Sequence, residues 1–467
     1  MLGLFGAMDM ASHALSIYQE ATSVAGNNLA NVNNPAYSRQ KLDINSATPL
    51  NTNIGQEGTG VTATSISQIR NALLDSQIAA EGGTTSSLIT QQQALQHAEA
   101  LLSEQITNSS GGTAASNTGI SAKLSAFFNN LQKLTASPKD LGLRKTVLQS
   151  AQDLTNQLNN VSAGLTAIRD SLNTSIYKNV DTANKTLGDI AELNKQILLS
   201  EAGGGSANDL VDQRQAKIED LSKLINFTAT TQTNGSIDIS LGGASLVLGG
   251  AATNKLVATD IGSGLVVIGN TGGPGKLPAS SGSIGGAITT RDGALYDLQS
   301  SLDTLSSSLV FQINTVYSAG YDQYGNTGGT LLSGTNAATI SVNSSVIADP
   351  NTFQASSLAT DKGNNQVAAA LATLANQTFS GLGNQTFSGN YSATVAALGS
   401  SISSATNDLT STNSVTNMLT QQRNSISGVN TDEELTNIVQ FQKAYEASAK
   451  LVSTLSAMLE TVISMKN

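Results

Sequence analysis

This sequence has no cysteine and no tryptophan, only two histidines, and only 4% aromatic residues. Without thiols there is no disulfide framework, no thiolate chemistry and no cysteine-held metal. A cysteine-free chain suits a protein that moves from the cytosol to the exterior without oxidative folding. The scarcity of aromatics argues against large aromatic-lined pockets. Charged residues make up 12%, against roughly 25% in an ordinary domain. The polar surface is therefore built from Ser, Thr, Asn, Gln and Gly. A formal charge of -10 and a pI near 4.7 lack the basic footprint that neutralises phosphates, which excludes nucleic acid as a partner. No run of about 18 apolar residues occurs, so no membrane insertion is expected. The first nine residues have no basic start, and Asp9 and Ser12 break their apolar stretch. They do not read as a Sec-type signal. The expectation is a cytoplasmic protein, or one that leaves the cell without a cleaved signal.

Chemistry is equally sparse. His13 and His97 sit in helical stretches without neighbouring ligands and read as solvated or packed residues. No HExxH, Walker A or GxSxG element is present. Gly55-Gln56-Glu57-Gly58-Thr59-Gly60 reads as a turn. Asp432-Glu433-Glu434 fits the first turn of a helix, where carboxylates meet the positive end of the dipole, with Thr431 and Glu434 as a capping box. No catalytic, cofactor-binding or metal-binding residues are assigned, and no enzyme is expected.

What the sequence does have is a matching seam at each extreme. Leu4, Met8, Ala11, Leu15, Tyr18, Thr22, Ala25 and Leu29 step by four and three residues. Ile438, Phe441, Tyr445, Ser448, Val452, Leu455, Leu459 and Val462 do the same. This alternation lays one narrow apolar stripe along a helix, as in a coiled coil. Spacing alone leaves open whether the stripes pair within one chain or against other copies. A fully buried large apolar side chain contributes roughly 1.5–3 kcal/mol. Thr22, Ala25 and Ser448 add little to that, so a lone terminal hairpin is marginal.

Between the ends, Asn27–Pro35 reads as a helix stop. A short extended stretch and a glycine turn follow, and helical spacing is expected to resume at Ile66 and Ile69. Gly82-Gly83 is a possible interruption. Ser137-Pro138 reads as the start of a long helix. Its stripe runs from Val147 to Ile197 with a stutter at Ile168, Leu172, Ile176 and Val180, which straightens a coiled coil. Sixty helical residues span roughly 90 Å. Residues 227–268 switch to a period of two around Asn234-Gly235, a hairpin signal. Helical spacing returns at Leu295–Val316, and a Gly/Ser/Thr/Asn-rich stretch precedes two final helices.

The fold class is mainly α with β-rich insertions: elongated and multidomain, with terminal helices pairing as a coiled coil. The expected units are a terminal assembly domain (1–40 and 428–467), a helical rod domain (41–226, 283–320 and 391–427), a β-rich insertion (227–282) and a second, looser insertion (321–390).

Three segments carry a resemblance. Asn27–Gln40, ending Ala36-Tyr37-Ser38-Arg39-Gln40, resembles the N-terminal motif of the flagellar rod and hook axial proteins. Gly428–Glu434, Phe441–Tyr445 and Ala449-Lys450 resemble their C-terminal motif. Asn208-Asp209-Leu210-Val211-Asp212-Gln213-Arg214 resembles an interior signature of the hook–filament junction members, as do Ser283–Gly286 before Arg291-Asp292 and Gln422–Gly428. Ala36 stands where the family often has Gly, and the 325–390 region is short beside larger members.

The resemblance implies a non-enzymatic structural adaptor, exported unfolded through the flagellar type III apparatus. It implies self-association as a ring at the distal hook end, with the hook protein and the second hook–filament junction protein as partners. It also implies a cytosolic export chaperone at the C-terminal region. The assembly interface is then carried by Leu4, Met8, Leu15, Tyr18, Leu29, Asn31, Tyr37, Arg39, Ile438, Phe441, Tyr445, Val452, Leu455, Leu459 and Val462. Other axial proteins, or a secreted adhesin with axial-type ends, are the alternatives.

Overall fold

The computed structural model describes residues 3–53, 55–104, 119–262, 264–273 and 275–465. Met1 and Leu2, the start of the N-terminal segment discussed above, lie outside them. The chain opens with helix α1 (Leu4–Ala30). Strand β1 (Gln40–Ser46) then pairs antiparallel with β4 (Val61–Gln68), from Gln40 opposite Gln68 to Ser46 opposite Val61. Between them a small hairpin, β2 (Leu50–Thr52) with β3 (Gly55–Glu57), extends the arm. Ile66 is therefore a strand residue and Ile69 follows the strand, its N–H donating to Arg39 O at 2.9 Å. The expected helical spacing does not hold there because β-branched residues alternate through Val61–Gln68, and α2 (Ala72–Leu102) begins only after the cap at Asn71.

Gly82-Gly83 does not interrupt α2. A Cβ on Gly83 would lie 2.8 Å from the Ser222 carbonyl oxygen, so the missing side chain lets another helix pass at backbone distance. After α3 (Ile120–Ala136), the rod helix α4 (Leu141–Ala202) runs 62 residues. Its cap is Asp140, whose Oδ1 accepts from Gly142 N at 2.7 Å and Leu143 N at 3.1 Å. Ser137-Pro138 is thus the turn before the helix. The Pro138 carbonyl accepts from Arg144 Nε at 2.7 Å, an arginine buried beneath that turn. The α4 stripe packs as its spacing requires: Val147, Leu158, Leu165, Ile176, Ala183, Ile190 and Ile197 are all buried, and the stutter causes no break.

Helix α5 (Asn208–Leu224) leads into a four-stranded sheet in the order β5 (Thr228–Thr231), β6 (Ile237–Leu241), β7 (Ala244–Leu248) and β8 (Ala251–Ala252). The β5–β6 turn is at Asn234-Gly235, with Gly235 at φ +80°. A separate hairpin, β9 (Leu256–Asp260) with β10 (Val266–Asn270), lies against α4. Helices α6 (Gly282–Asp292) and α7 (Ala294–Tyr317) return to the bundle. A Cβ on Gly286 would collide with the Ser87 backbone of α2, so the paired glycines of Ser283–Gly286 serve a helix crossing.

The stretch expected to be a loose insertion is instead packed. It holds β11 (Leu332–Ser333), β12 (Ser341–Val342), α8 (Ser344–Ala348) and α9 (Gln366–Thr373). Leu331, Ile340, Phe353 and Leu371 from it join the main core. Polar composition concealed this because the few apolar residues are irregularly spaced. Two long helices close the chain, α10 (Phe387–Ser427) and α11 (Thr431–Ser464). The architecture is mainly α with small β-sheets. One continuous core runs from Ala94 to Ala405; Ile17, Ala21 and Leu42 form a small separate one beside the terminal helices, and Leu74, Ile78 and Leu419 form another.

Candidate functional site

Helix α1 ends where the Asn-rich segment begins, but no left-handed residue ends it. Asn31 caps at φ -101°, its backbone N–H and its Nδ2 both donating to Asn27 O. Ala36 has no positive φ either, so Ala at this position costs nothing sterically. The chain then folds back so that Tyr37–Gln40 lies beside the last turn of α1. Asn28, three residues before Asn31, is 1% exposed and uses its whole amide. Its Oδ1 accepts from Gln40 N at 2.9 Å and Tyr37 Oη at 2.8 Å. Its Nδ2 donates to Gln40 O at 2.8 Å and Glu434 Oε2 at 3.1 Å. Two donated and two accepted bonds are all this side chain can form.

Glu434 is the other half of this node. Its Oε1 accepts from Arg39 Nε at 2.6 Å, while Arg39 Nη2 reaches Glu433 at 2.9 Å. The expected capping box is therefore absent. Asn430 caps α11, accepting from Asp432 N at 3.0 Å, and Glu434 turns inward to the N-terminal motif. Burial opposes charge on Arg39, but the hydrogen bonds and field of Glu433 and Glu434 outweigh it and raise its pKa. Burial among acids likewise raises the Tyr37 phenol, keeping it a donor to Asn28. Arg39 N donates to Ser427 O at 2.9 Å, which brings the end of α10 into the same joint.

The interior signature arrives from a third direction. Gln40 Nε2 donates to Asp209 at 2.7 Å, and Ser38 N donates to Asp212 Oδ2 at 3.1 Å. Arg70 Nη1 reaches Asp212 Oδ1 at 3.3 Å while its Nε bonds Asp75 at 2.7 Å. Asn208 donates to Ile66 O and accepts from Gln68 Nε2 through its own carbonyl. Burial raises the Asp212 pKa, with the Ser38 N–H and Arg70 working against that shift. Helix α5 thereby clamps the β1–β4 arm to the rod. Arg214, two residues on, donates to Asn194 of α4 and to the Gly235 carbonyl.

Helix α1, which carries the N-terminal seam, packs along α11, which carries the C-terminal one. On α1, Ala11 and Ala25 are buried. Met8, Leu15, Tyr18 and Leu29 are half-buried, and Leu4 is exposed. On α11, Ile438, Phe441, Val452, Leu455 and Leu459 are half-buried, while Tyr445 and Val462 are exposed. The deepest row on α1 is a different one: Ile17, Ala21, Val24 and Asn28, about a quarter turn round at 3.6 residues per turn. Ile17 and Ala21 pack on Leu42, with Ile44, Val61 and Phe441 around them. Spacing revealed one stripe, whereas the β1–β4 arm covers a second. Of the assembly residues expected from sequence, Tyr37 and Arg39 join the polar node, and Asn31 only caps its helix. The residues missed are Asn28, Gln40, Asp212, Arg70 and Glu434. Asn28 had one legible signal, a polar residue falling on the Ile17–Ala21–Val24 row.

Outside its seam α11 keeps further apolar side chains in the open. Leu435 and Val439 near its start, and Leu451, Met458 and Ile463 further on, are each 44–59% exposed. A cleft of about 480 Å³ also opens between α1, β1 and α11, lined by Val24, Arg39, Leu42, Asn437 and Phe441. Among the described residues, no three His, Asp or Glu side chains converge as a metal site, and no helix is long and apolar enough to cross a membrane.

Comparison with known proteins agrees with this architecture. Residues 105–332 match the family model of the flagellar hook-associated protein FlgK helical domain. Residues 420–465 match that of the flagellar basal body rod FlgEFG protein C-terminal region. The chain is 29% identical to flagellar hook-associated protein 1 of Bacillus subtilis, covering 99% of this chain and 98% of that protein. It is 23% identical to the Salmonella typhimurium protein of the same name, covering 98% and 99%. Those 559 aligned positions exceed the 467 residues here, so the relative carries segments this chain lacks. The fold also matches the flagellar hook junction protein FlgK from Burkholderia pseudomallei, with a TM-score of 0.63 and 18% identity over 75% of this chain and all of that one. The matched models take in the interior signature and the C-terminal motif, and over nearly its whole length the chain is similar to flagellar hook-associated protein 1.

Proposed function

We propose that this chain is a structural junction protein of the bacterial flagellum, adding as a ring at the distal end of the hook and connecting hook to filament. One observation carries the reading. The Asn28–Glu434–Arg39 node locks the two chain ends into a pair while α11 keeps apolar patches uncovered. Such patches on a soluble chain are covered by association. A pair that is marginal alone gains stability when copies pack around it.

The finer partners follow from the same reading. The hook protein lies on one side of the ring, the second junction protein on the other, and an export chaperone shields the α11 patches before assembly. The role is structural, and no reaction is assigned to it. Deleting the gene is expected to leave hooks without filaments in electron micrographs, with flagellin released to the medium. Normal filaments in the deletion strain would sink the proposal. The absence of native cysteine allows a sharper test. A single Met458→Cys in assembled flagella should cross-link through α11 to a flagellar axial subunit, and a cross-link only to unrelated proteins contradicts the assembly role.

A further inference from the structure

A cavity of about 600 Å³ lies between α2, α5 and the β5–β6 hairpin, away from the terminal seam. Its volume falls within the usual range for ligand sites. Its walls are mostly apolar and include Ala79, Val211, Ile218, Phe227 and Ile237. Two features at its rim have no role in the joint.

The first is strand β5. It is the edge of its sheet and all four of its residues are exposed. Gln232 N donates to Ser236 O at 2.8 Å, so the hydrogen-bonded pairs step back through Thr230–Asp238 and Thr228–Ser240. The N–H and C=O groups of Ala229 and Thr231 consequently point away from β6. Both residues also line the cavity. The segment Thr-Ala-Thr-Thr carries none of the charges or prolines that normally blunt an edge strand.

The second is Arg214, which lines the same cavity and is only 5% exposed. Its Nη1 is committed to Asn194 and Gly235, its Nε has no partner, and among the described residues it forms no ion pair. Burial and the neighbouring positive charge of Arg70 pull its pKa down to about 10. Glu201 opposes that shift through its charge but forms no ion pair with Arg214; a buried guanidinium that no carboxylate pairs directly is costly, and its chemistry selects an anion.

We propose that this groove receives an extended, acidic peptide segment of a neighbouring protein, which adds as a strand beside β5, seats apolar side chains in the cavity and brings a carboxylate to Arg214. Backbone pairing at an open edge supplies affinity, and alternate side-chain pockets supply selectivity. The edge groups of Ala229 and Thr231 and the charge of Arg214 lie on one cavity, which makes them one site.

The test uses the full chain and two fluorescent, end-blocked hexapeptides, one alternating valine and glutamate and the other valine and lysine. Anisotropy titration is expected to give at least about tenfold tighter binding for the acidic peptide, weakening with salt. Ala80→Trp places an indole at the exposed mouth, and Thr231→Pro removes an outward N–H without touching a ladder bond. Each should weaken the acidic peptide about tenfold or more, with the circular dichroism unchanged for Ala80→Trp. Equal affinity for both peptides, no binding of the acidic one, or undiminished binding by Ala80→Trp overturns the proposal. The readout is independent of the junction role, because it needs neither hook nor filament.

Discussion

Asn28 and Glu434 stand 406 positions apart in the chain and share a hydrogen bond of 3.1 Å, each residue 1% exposed. The bond ties the last turn of α1 to the first turn of α11, so the two helices run antiparallel. Each partner carries further obligations, Asn28 to Gln40 and Tyr37, Glu434 to Arg39. Removing one side chain therefore orphans several buried groups at once.

The first prediction concerns that node. Glu434→Ala should destabilise the terminal module by about 1–3 kcal/mol, the cost of leaving buried polar groups unsatisfied. Amide hydrogen exchange in α1 reads it directly, because the small core of Ile17, Ala21 and Leu42 is separate from the main one. A double-mutant cycle with Asn28→Ala should show at least ~0.5 kcal/mol of coupling. Simple additivity would mean the two residues act independently.

Asp212 makes a second prediction, through pH. Burial raises its pKa above the ordinary aspartate value. Between about pH 4, where the unfolded aspartate titrates, and its higher native pKa, the folded state holds more proton than the unfolded. Its ionisation therefore lowers stability as pH rises through that window, and acidification removes the cost. Asp212→Asn lacks this dependence. The wild-type Tm, relative to that of Asp212→Asn, should be higher at pH 5 than at pH 7. A wild-type Tm that falls on acidification relative to that of Asp212→Asn contradicts the assignment.

The exposed side of α11 separates folding from assembly. Val439→Glu combined with Met458→Glu alters side chains that are 56% and 52% exposed. Solution stability should stay within about 0.5 kcal/mol of wild type, as is usual for surface substitutions. Filament attachment should nevertheless fail. Denaturation curves and electron microscopy of complemented deletion cells measure the two effects. Normal filaments would show that these patches face no neighbour.

Helix crossing sets the last prediction. Gly286→Val forces a side chain into the Ser87 backbone of α2, and overpacking of this kind costs about 1–3 kcal/mol or more. Thermal unfolding should register a lower Tm. An unchanged Tm would mean that the α2–α6 contact yields without cost.

Much of the helical architecture was legible because it repeats. The α4 stripe from Val147 to Ile197 obeys one local rule over about fourteen turns, and the Asn234-Gly235 hairpin announces itself through turn chemistry. Errors fell where the signal was short or irregular. Ile66 and Ile69 lie at a strand end whose alternation covers only eight residues. Ser137-Pro138 imitates a cap that Asp140 supplies. In the 321–390 segment, Leu331, Phe353 and Leu371 are buried without a shared period, so nothing local marks them as core.

By itself the sequence determined the terminal seams, the long rod helix, the hairpin insertion and the motifs that mark the axial family. Each is written in spacing or in contiguous residues. Only the tertiary structure decided which faces those elements use. It turned the deeper row of α1 toward the β1–β4 arm, sent Glu434 inward to Asn28 and Arg39, and brought Asp212 of α5 against Ser38 and Arg70. The physical reason is that periodicity reports only that a face is buried. Its partner is selected by hydrogen bonds and close approaches between residues hundreds of positions apart, which no local window of sequence contains.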